Sequence, residues 1–114
     1  MPPRIRKLAT AHITGSGDTV LGHMRPPPSY IDKAQARGAS YFDIGSVWNT
    51  LTPDERWEAN AYFLDQISAS RDRVLLSVPK TKVRSGSDLE KEIAYLIKEK
   101  DYMFVNQWAL KPRS

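Results

Sequence analysis

The chain contains no cysteine. Disulfides, thiolate nucleophiles and cysteine-held zinc or iron–sulfur centres are therefore excluded, and the redox compartment leaves no trace in the sequence. Histidine is almost as scarce. There are two, without a His-x-Glu or His-x-x-x-His spacing, so no histidine-rich transition-metal site is expected. A carboxylate-held magnesium stays open, but no metal site and no resident cofactor are expected. Apolar runs are short. None approaches the roughly 18 residues that cross a bilayer, so no membrane span is expected. The cations of Met1-Pro-Pro-Arg-Ile-Arg-Lys7 are not followed by the apolar stretch of a secretory signal. Three fingerprints are also missing: Gly-x-Gly-x-x-Gly, the Walker Gly-x-x-x-x-Gly-Lys-Ser/Thr, and Gly-x-Ser-x-Gly. Dehydrogenase, P-loop and α/β-hydrolase chemistry are disfavoured accordingly.

What remains fits one domain of 114 residues with a single core. Three tryptophans, five tyrosines and three phenylalanines supply apolar volume for it. The net charge of +4 and sequence pI of about 9.5 favour a polyanionic partner over an acidic surface. Solvated surface lysines would give the same balance.

Residues 1–18, with Pro2, Pro3, Gly15 and Gly17, read as a flexible arm or linker carrying at most a short strand near Leu8–Ile13. Residues 19–114 read as the single α/β domain. Thr19–Leu21 is a first strand that ends at Gly22-His23. Pro28 suits a helix start and Gly38 a helix end, with Tyr30, Ile31 and Ala34 between them. Ser40–Ile44 reads as a second, buried strand. Thr52-Pro53-Asp54-Glu55 combines an N-cap, a first-turn proline and a capping-box glutamate. The helix it opens carries Ala61, Leu64 and Ile67 as its stripe, and Trp57 and Asn60 are assigned to the core. Arg73–Val78 is the third strand. Ser87 and Glu90 predict a second capping box ahead of Leu89, Ile93, Leu96 and Ile97. Tyr102–Val105 is a final strand, with Gln107–Leu110 as a short extension. Strand and helix alternate, which predicts a small, mostly parallel sheet of about four strands flanked by helices.

In such a sheet, ligands bind beyond the carboxyl ends of the strands. That edge would gather Gly22, His23 and Arg25 from the first strand, Asp43, Gly45 and Ser46 from the second, and Ser77, Lys80, Lys82, Arg84 and Ser85 from the third. The run Lys80–Glu90 is the centre of this reading. Three cations, two serines and a glycine lie just ahead of a helix N-terminus, where exposed N–H groups and the positive end of the helix dipole attract anions. His23 is the candidate acid or base. Lys80 and Arg84 are the candidate catalytic cations, placed to neutralise charge at phosphorus. Asp43, costly inside Tyr-Phe-Asp-Ile unless it turns outward or finds a partner, is the candidate group that orients His23 or a cation. Arg25, Lys82, Ser85 and Ser87 are candidate phosphate contacts, and Tyr30 and Trp48 candidate stacking surfaces. Helix capping accounts equally well for Ser87 and Glu90.

The combination Val20-Leu-Gly-His23, Tyr30, Gly38-Ala39, Tyr41-Phe42, Trp48, Trp57-x-x-Asn60-x-x-Phe63-Leu64-Asp65, Ser77-Val-Pro79, Arg84-x-Gly86-Ser87, Glu90, Glu92 and Tyr95-Leu96 resembles a C-terminal toxin domain of bacterial polymorphic toxins. Such domains end large Rhs-type, haemagglutinin-repeat and contact-dependent inhibition proteins. The resemblance covers residues 20–97. It implies an effector secreted as part of a larger protein, acting in the cytoplasm of a target cell and held in check by a cognate immunity protein. It does not select the activity.

The residues narrow it. Without cysteine or His-x-Glu, a zinc deaminase is disfavoured. The expectation is a metal-independent ribonuclease, with tRNA a candidate substrate and a host activator protein a candidate requirement. The alternative is an NAD-consuming toxin, a glycohydrolase or ADP-ribosyltransferase, in which Tyr30 or Trp48 stacks on nicotinamide and Glu90 or Glu92 stabilises an oxocarbenium ion. A third class is a non-enzymatic module whose basic loop docks on an acidic partner.

Overall fold

A computed structural model describes residues 1–24 and 27–113. Arg25, one of the candidate phosphate contacts, lies outside the described residues. The fold is α/β. Its sheet contains β1 (Asp18–Leu21), β2 (Arg73–Leu76), β3 (Tyr102–Asn106) and β4 (Ala109–Pro112), in the order β1-β2-β4-β3. β1 and β2 are parallel, whereas β2 with β4 and β3 with β4 are antiparallel. The sheet is therefore mixed. The crossover through two helices forces the first pair to be parallel, and the short connection around Gln107 forces the last pair to be antiparallel. Gln107–Leu110 thus starts a strand of its own rather than extending the preceding one.

Two faces of the sheet are covered. On one, α1 (Pro3–Ala9), α3 (Pro53–Ala69) and α4 (Asp88–Glu99) bury Ile5, Phe63, Leu64, Ile67, Leu89 and Leu96 against Leu21, Val74, Leu76 and Leu110. On the other, α2 (Tyr30–Arg37) closes a smaller cluster of Val20, Ala34, Ala39 and Tyr41. The alternation of Val20 and Leu21 between the two clusters is the period-two signature of a strand. The segment ahead of β1, expected to be a loose arm, instead begins with α1, and Ile5 and Ala9 are buried in the larger cluster. Pro3 opens that helix rather than breaking it.

The second expected strand does not form. Ser40 alone bridges to Thr19, exchanging backbone hydrogen bonds with Val20 and Asp18. Beyond it the chain leaves the sheet, because Phe42 packs between the rings of Trp48 and Phe63, with centroids 6.1 and 5.6 Å away. A buried apolar run of five residues does not by itself separate strand from core-facing loop.

The caps follow the sequence closely. Thr52 and Glu55 exchange the two hydrogen bonds of a capping box, and Gly38 ends α2 in the left-handed region. α2 adds a second capping box through Ser29 and Asp32. The expected box at α4 is only half made. Ser87 Oγ accepts from the Glu90 N–H at 3.2 Å, but the Glu90 carboxylate accepts from Gly86 N–H at 2.9 Å.

Candidate functional site

β1 and β2 end at the same edge, and a cleft of about 440 Å³ opens beside β1 there. That volume suits a nucleotide-sized ligand. His23, Met24, Tyr30, Phe42, Asp43, Trp48, Arg84, Ser87, Asp88 and Glu92 contribute to its walls, with Asn60 between α3 and α4.

His23 reaches this position through Gly22. A Cβ at residue 22 would lie 1.7 Å from Ser77 Oγ and 2.4 Å from Ser77 Cβ, so only glycine lets the chain pass this close. Ser77 cannot retreat easily. Its N–H donates to Leu21 O at 2.8 Å, and its Oγ accepts the His23 N–H at 3.2 Å. Gly22→Ala is expected to lower stability by about 1–3 kcal/mol through overpacking, read as a lower urea midpoint. It should also displace His23.

The imidazole is buried, and its Nε2 accepts the backbone N–H of Arg84 at 3.3 Å. That contact makes Nε2 the unprotonated nitrogen of the neutral ring and leaves the proton on Nδ1. Burial, reinforced by the positive charge of Arg84, holds the His23 pKa below its ordinary 6.5. The ring is therefore neutral at pH 7, as a general base must be.

Tyr30 joins three parts of the cleft. Its N–H donates to His23 O at 3.2 Å, and its hydroxyl donates to Phe42 O. Burial, and after it the nearby carboxyls of Glu92, Asp43 and Asp88, raise its pKa well above the ordinary value. Tyr30 is thus a fixed neutral donor. Asp43 is half-buried and accepts Gly45 N–H at 2.9 Å, a local turn that carries the chain into Trp48. The Nε2 of the His23 ring is met by the backbone N–H of Arg84.

Glu92 lies one turn into α4 and is buried with Leu89, Ile93 and Leu96 of the same helix. Burial drives its pKa up to about 8, against the opposing effect of a hydrogen bond from Asn60 and with a small push from Asp88. It is protonated at neutral pH. Asn60 is itself buried, and its Oδ1 has no partner. A buried acceptor left so costs about 1–3 kcal/mol. The signal for both residues is present in the sequence as a polar side chain on the apolar stripe of each of two helices.

The basic loop divides. Arg84 and Ser87 line the cleft, but Lys80, Lys82 and Ser85 do not. Lys80 and Lys82 form an exposed 3₁₀ turn, and Lys80 Nζ sits 5.0 Å from the Phe104 ring centroid. The helix start is also less open to anions than the sequence suggests. Ser87 Oγ donates to Arg84 O at 2.6 Å, and Glu90 occupies the Gly86 N–H. Asp88 adds a negative charge in the first turn.

Among the described residues, no group of three or more His, Asp or Glu could hold a metal ion, and no helix is long and apolar enough to cross a membrane. Comparison with protein-family models, with curated proteins and with solved structures returned no match.

Proposed function

We propose that the domain is a metal-independent ribonuclease with an acid–base mechanism. The observation that carries this reading is the shared cleft of a neutral His23, braced by the Arg84 backbone, and a buried, protonated Glu92. Two titratable groups pushed in opposite directions by their surroundings suit opposite proton-transfer roles. A substrate 2′-hydroxyl that displaces the Arg84 N–H would give its proton to Nε2. The oxygen would attack the adjacent phosphorus, and the 5′-oxygen would leave with the proton of Glu92. The displaced Arg84 N–H and its guanidinium would stabilise charge developing on the phosphoryl oxygens. Tyr30, Phe42 and Trp48 offer aromatic surface for a base.

One observation favours an NAD-consuming enzyme instead: the same aromatic walls lie beside Asp43, Asp88 and Glu92. Burial, however, keeps Glu92, the cleft carboxylate expected to stabilise an oxocarbenium ion, neutral at pH 7. Asp43 and Asp88 are already committed, Asp43 to the Gly45 N–H and Asp88 to the first turn of α4. The ribonuclease reading therefore ranks first. The likeness of residues 20–97 to polymorphic-toxin domains supports a delivered effector with a cognate immunity protein, acting in a target-cell cytoplasm on RNA such as tRNA, with a host activator protein as a candidate requirement.

The test is to incubate the purified domain with total RNA and, separately, with NAD, each with and without cell extract. RNA cleavage is the expected result. NAD loss with intact RNA would replace this reading by the second. Intact RNA and NAD even with extract would leave a binding module.

A further inference from the structure

Two of the cations that the cleft does not use stand beside aromatic rings. Lys33 Nζ lies 5.4 Å from the Trp108 ring centroid, and Lys80 Nζ lies 5.0 Å from that of Phe104. Backbone hydrogen bonds bring these elements together. Lys80 N–H donates to Gln107 O at 2.7 Å, and Leu76 N–H donates to Trp108 O at 2.8 Å. Trp108 is 48% exposed at the tip of the β3–β4 hairpin. A tryptophan so exposed beside a lysine is not explained by core packing. The side-chain ion pairs among the described residues involve Arg73, Lys100 and Arg113. Lys33, Lys80 and Lys82 form none there, so their charge is not neutralised by a carboxylate.

This patch and the cleft meet at one buried residue, Ser77. Lys33 Nζ donates to Ser77 O at 2.6 Å, while Ser77 Oγ accepts the His23 N–H. Ser77 therefore links the lysine of the lysine–tryptophan pair to the backbone of His23, the residue that carries the imidazole.

We propose that the surface formed by Lys33, Lys80, Lys82 and Trp108 binds single-stranded RNA as it leaves the cleft. An exposed aromatic ring offers a sequence-tolerant stacking platform, and flanking lysines contact the phosphates. Unneutralised lysines set beside rings fit a strand whose bases and phosphates alternate. The link from this surface to cleavage rests on the ribonuclease reading. Strand binding does not.

Binding of a fluorescein-labelled single-stranded uridine oligonucleotide would be followed by anisotropy, in the His23→Ala background so that the strand survives. Trp108→Ala should weaken binding about tenfold, and Trp108→Phe should restore most of it. Lys80→Ala with Lys82→Ala should flatten the salt dependence by roughly 0.7 for each phosphate no longer neutralised. With His23 intact, Trp108→Ala should raise KM for long RNA, leave kcat unchanged, and leave dinucleotide cleavage untouched. Equal binding by the parent and these variants would overturn the proposal. So would competition by polyglutamate as effective as that by unlabelled oligonucleotide, which would mark a surface for acidic protein. Trp108-dependent binding without any RNA cleavage would sink the ribonuclease reading and keep this one. Cleavage with Trp108-independent binding would do the reverse.

Discussion

RNA cleavage by the His23→Ala variant is expected to fall roughly 10²- to 10⁴-fold, the usual worth of a positioned acid or base, with the fold unchanged. His23 is buried at the cleft wall, and its ring accepts the Arg84 N–H. The variant's circular dichroism should match the parent's. Its stability, read from the urea midpoint, should fall by the roughly 1–3 kcal/mol that losing this acceptor for the Arg84 N–H costs, too little to unfold the domain. The pH profile gives an independent check. The base is active once pH exceeds the lowered pKa of His23, so the acid limb should lie below 6.5. The acid is active until Glu92 ionises, so the alkaline limb should lie near 8. Cleavage should therefore form a plateau across neutral pH, and Glu92→Gln should reduce its height and remove the alkaline limb. Undiminished cleavage by His23→Ala would remove the histidine from the mechanism.

The second large effect is on stability. Glu92 holds its proton to about pH 8 when folded, against an ordinary value of 4.5. Below about pH 4.5 the group is neutral in both states, and the stability linked to it is fully present. As pH rises beyond that, the unfolded chain ionises while the folded one stays protonated. Stability then falls with pH, and the loss is complete once pH passes the folded value. At 1.36 kcal/mol per unit the total is on the order of 3–5 kcal/mol. Glu92→Gln keeps an oxygen to accept from Asn60 and removes the titration. The variant should match the parent near about pH 4 and exceed it in urea midpoint near about pH 9. A difference between the two proteins that stays constant across that range would mean that Glu92 is not held protonated by the fold.

These two residues show how unevenly the site can be read from the chain. His23 stands at the end of the apolar run that forms β1, behind a glycine, and the strand-end rule points to it. Arg84 comes from the same rule, although the contact made to His23 is through its backbone N–H. The sequence points to Glu92 only for the NAD alternative and assigns Asn60 to the core. Each sits at helical spacing among apolar neighbours, and that periodicity locates the buried face without saying that a cavity opens beside it. Proximity in sequence puts Lys80 and Lys82 in the site, but their 3₁₀ turn carries them to the hairpin side. Asp43 does line the cleft, and the contact to Nε2 of the His23 ring comes from a backbone amide that no sequence rule singles out.

The chain by itself determined the features that close within one turn. Thr52 capping Glu55, Ser87 capping Glu90 and Gly38 ending α2 all depend on residues three or four apart. Any tertiary context would meet the same local hydrogen-bonding demands. The tertiary structure alone decided that Ser40–Ile44 leaves the sheet, that β4 turns back antiparallel, and that His23 meets Arg84 across 61 positions. It also buried Glu92 and so set its charge. Long-range packing decides those outcomes, because desolvation depends on every neighbour that excludes water and not on sequence neighbours alone.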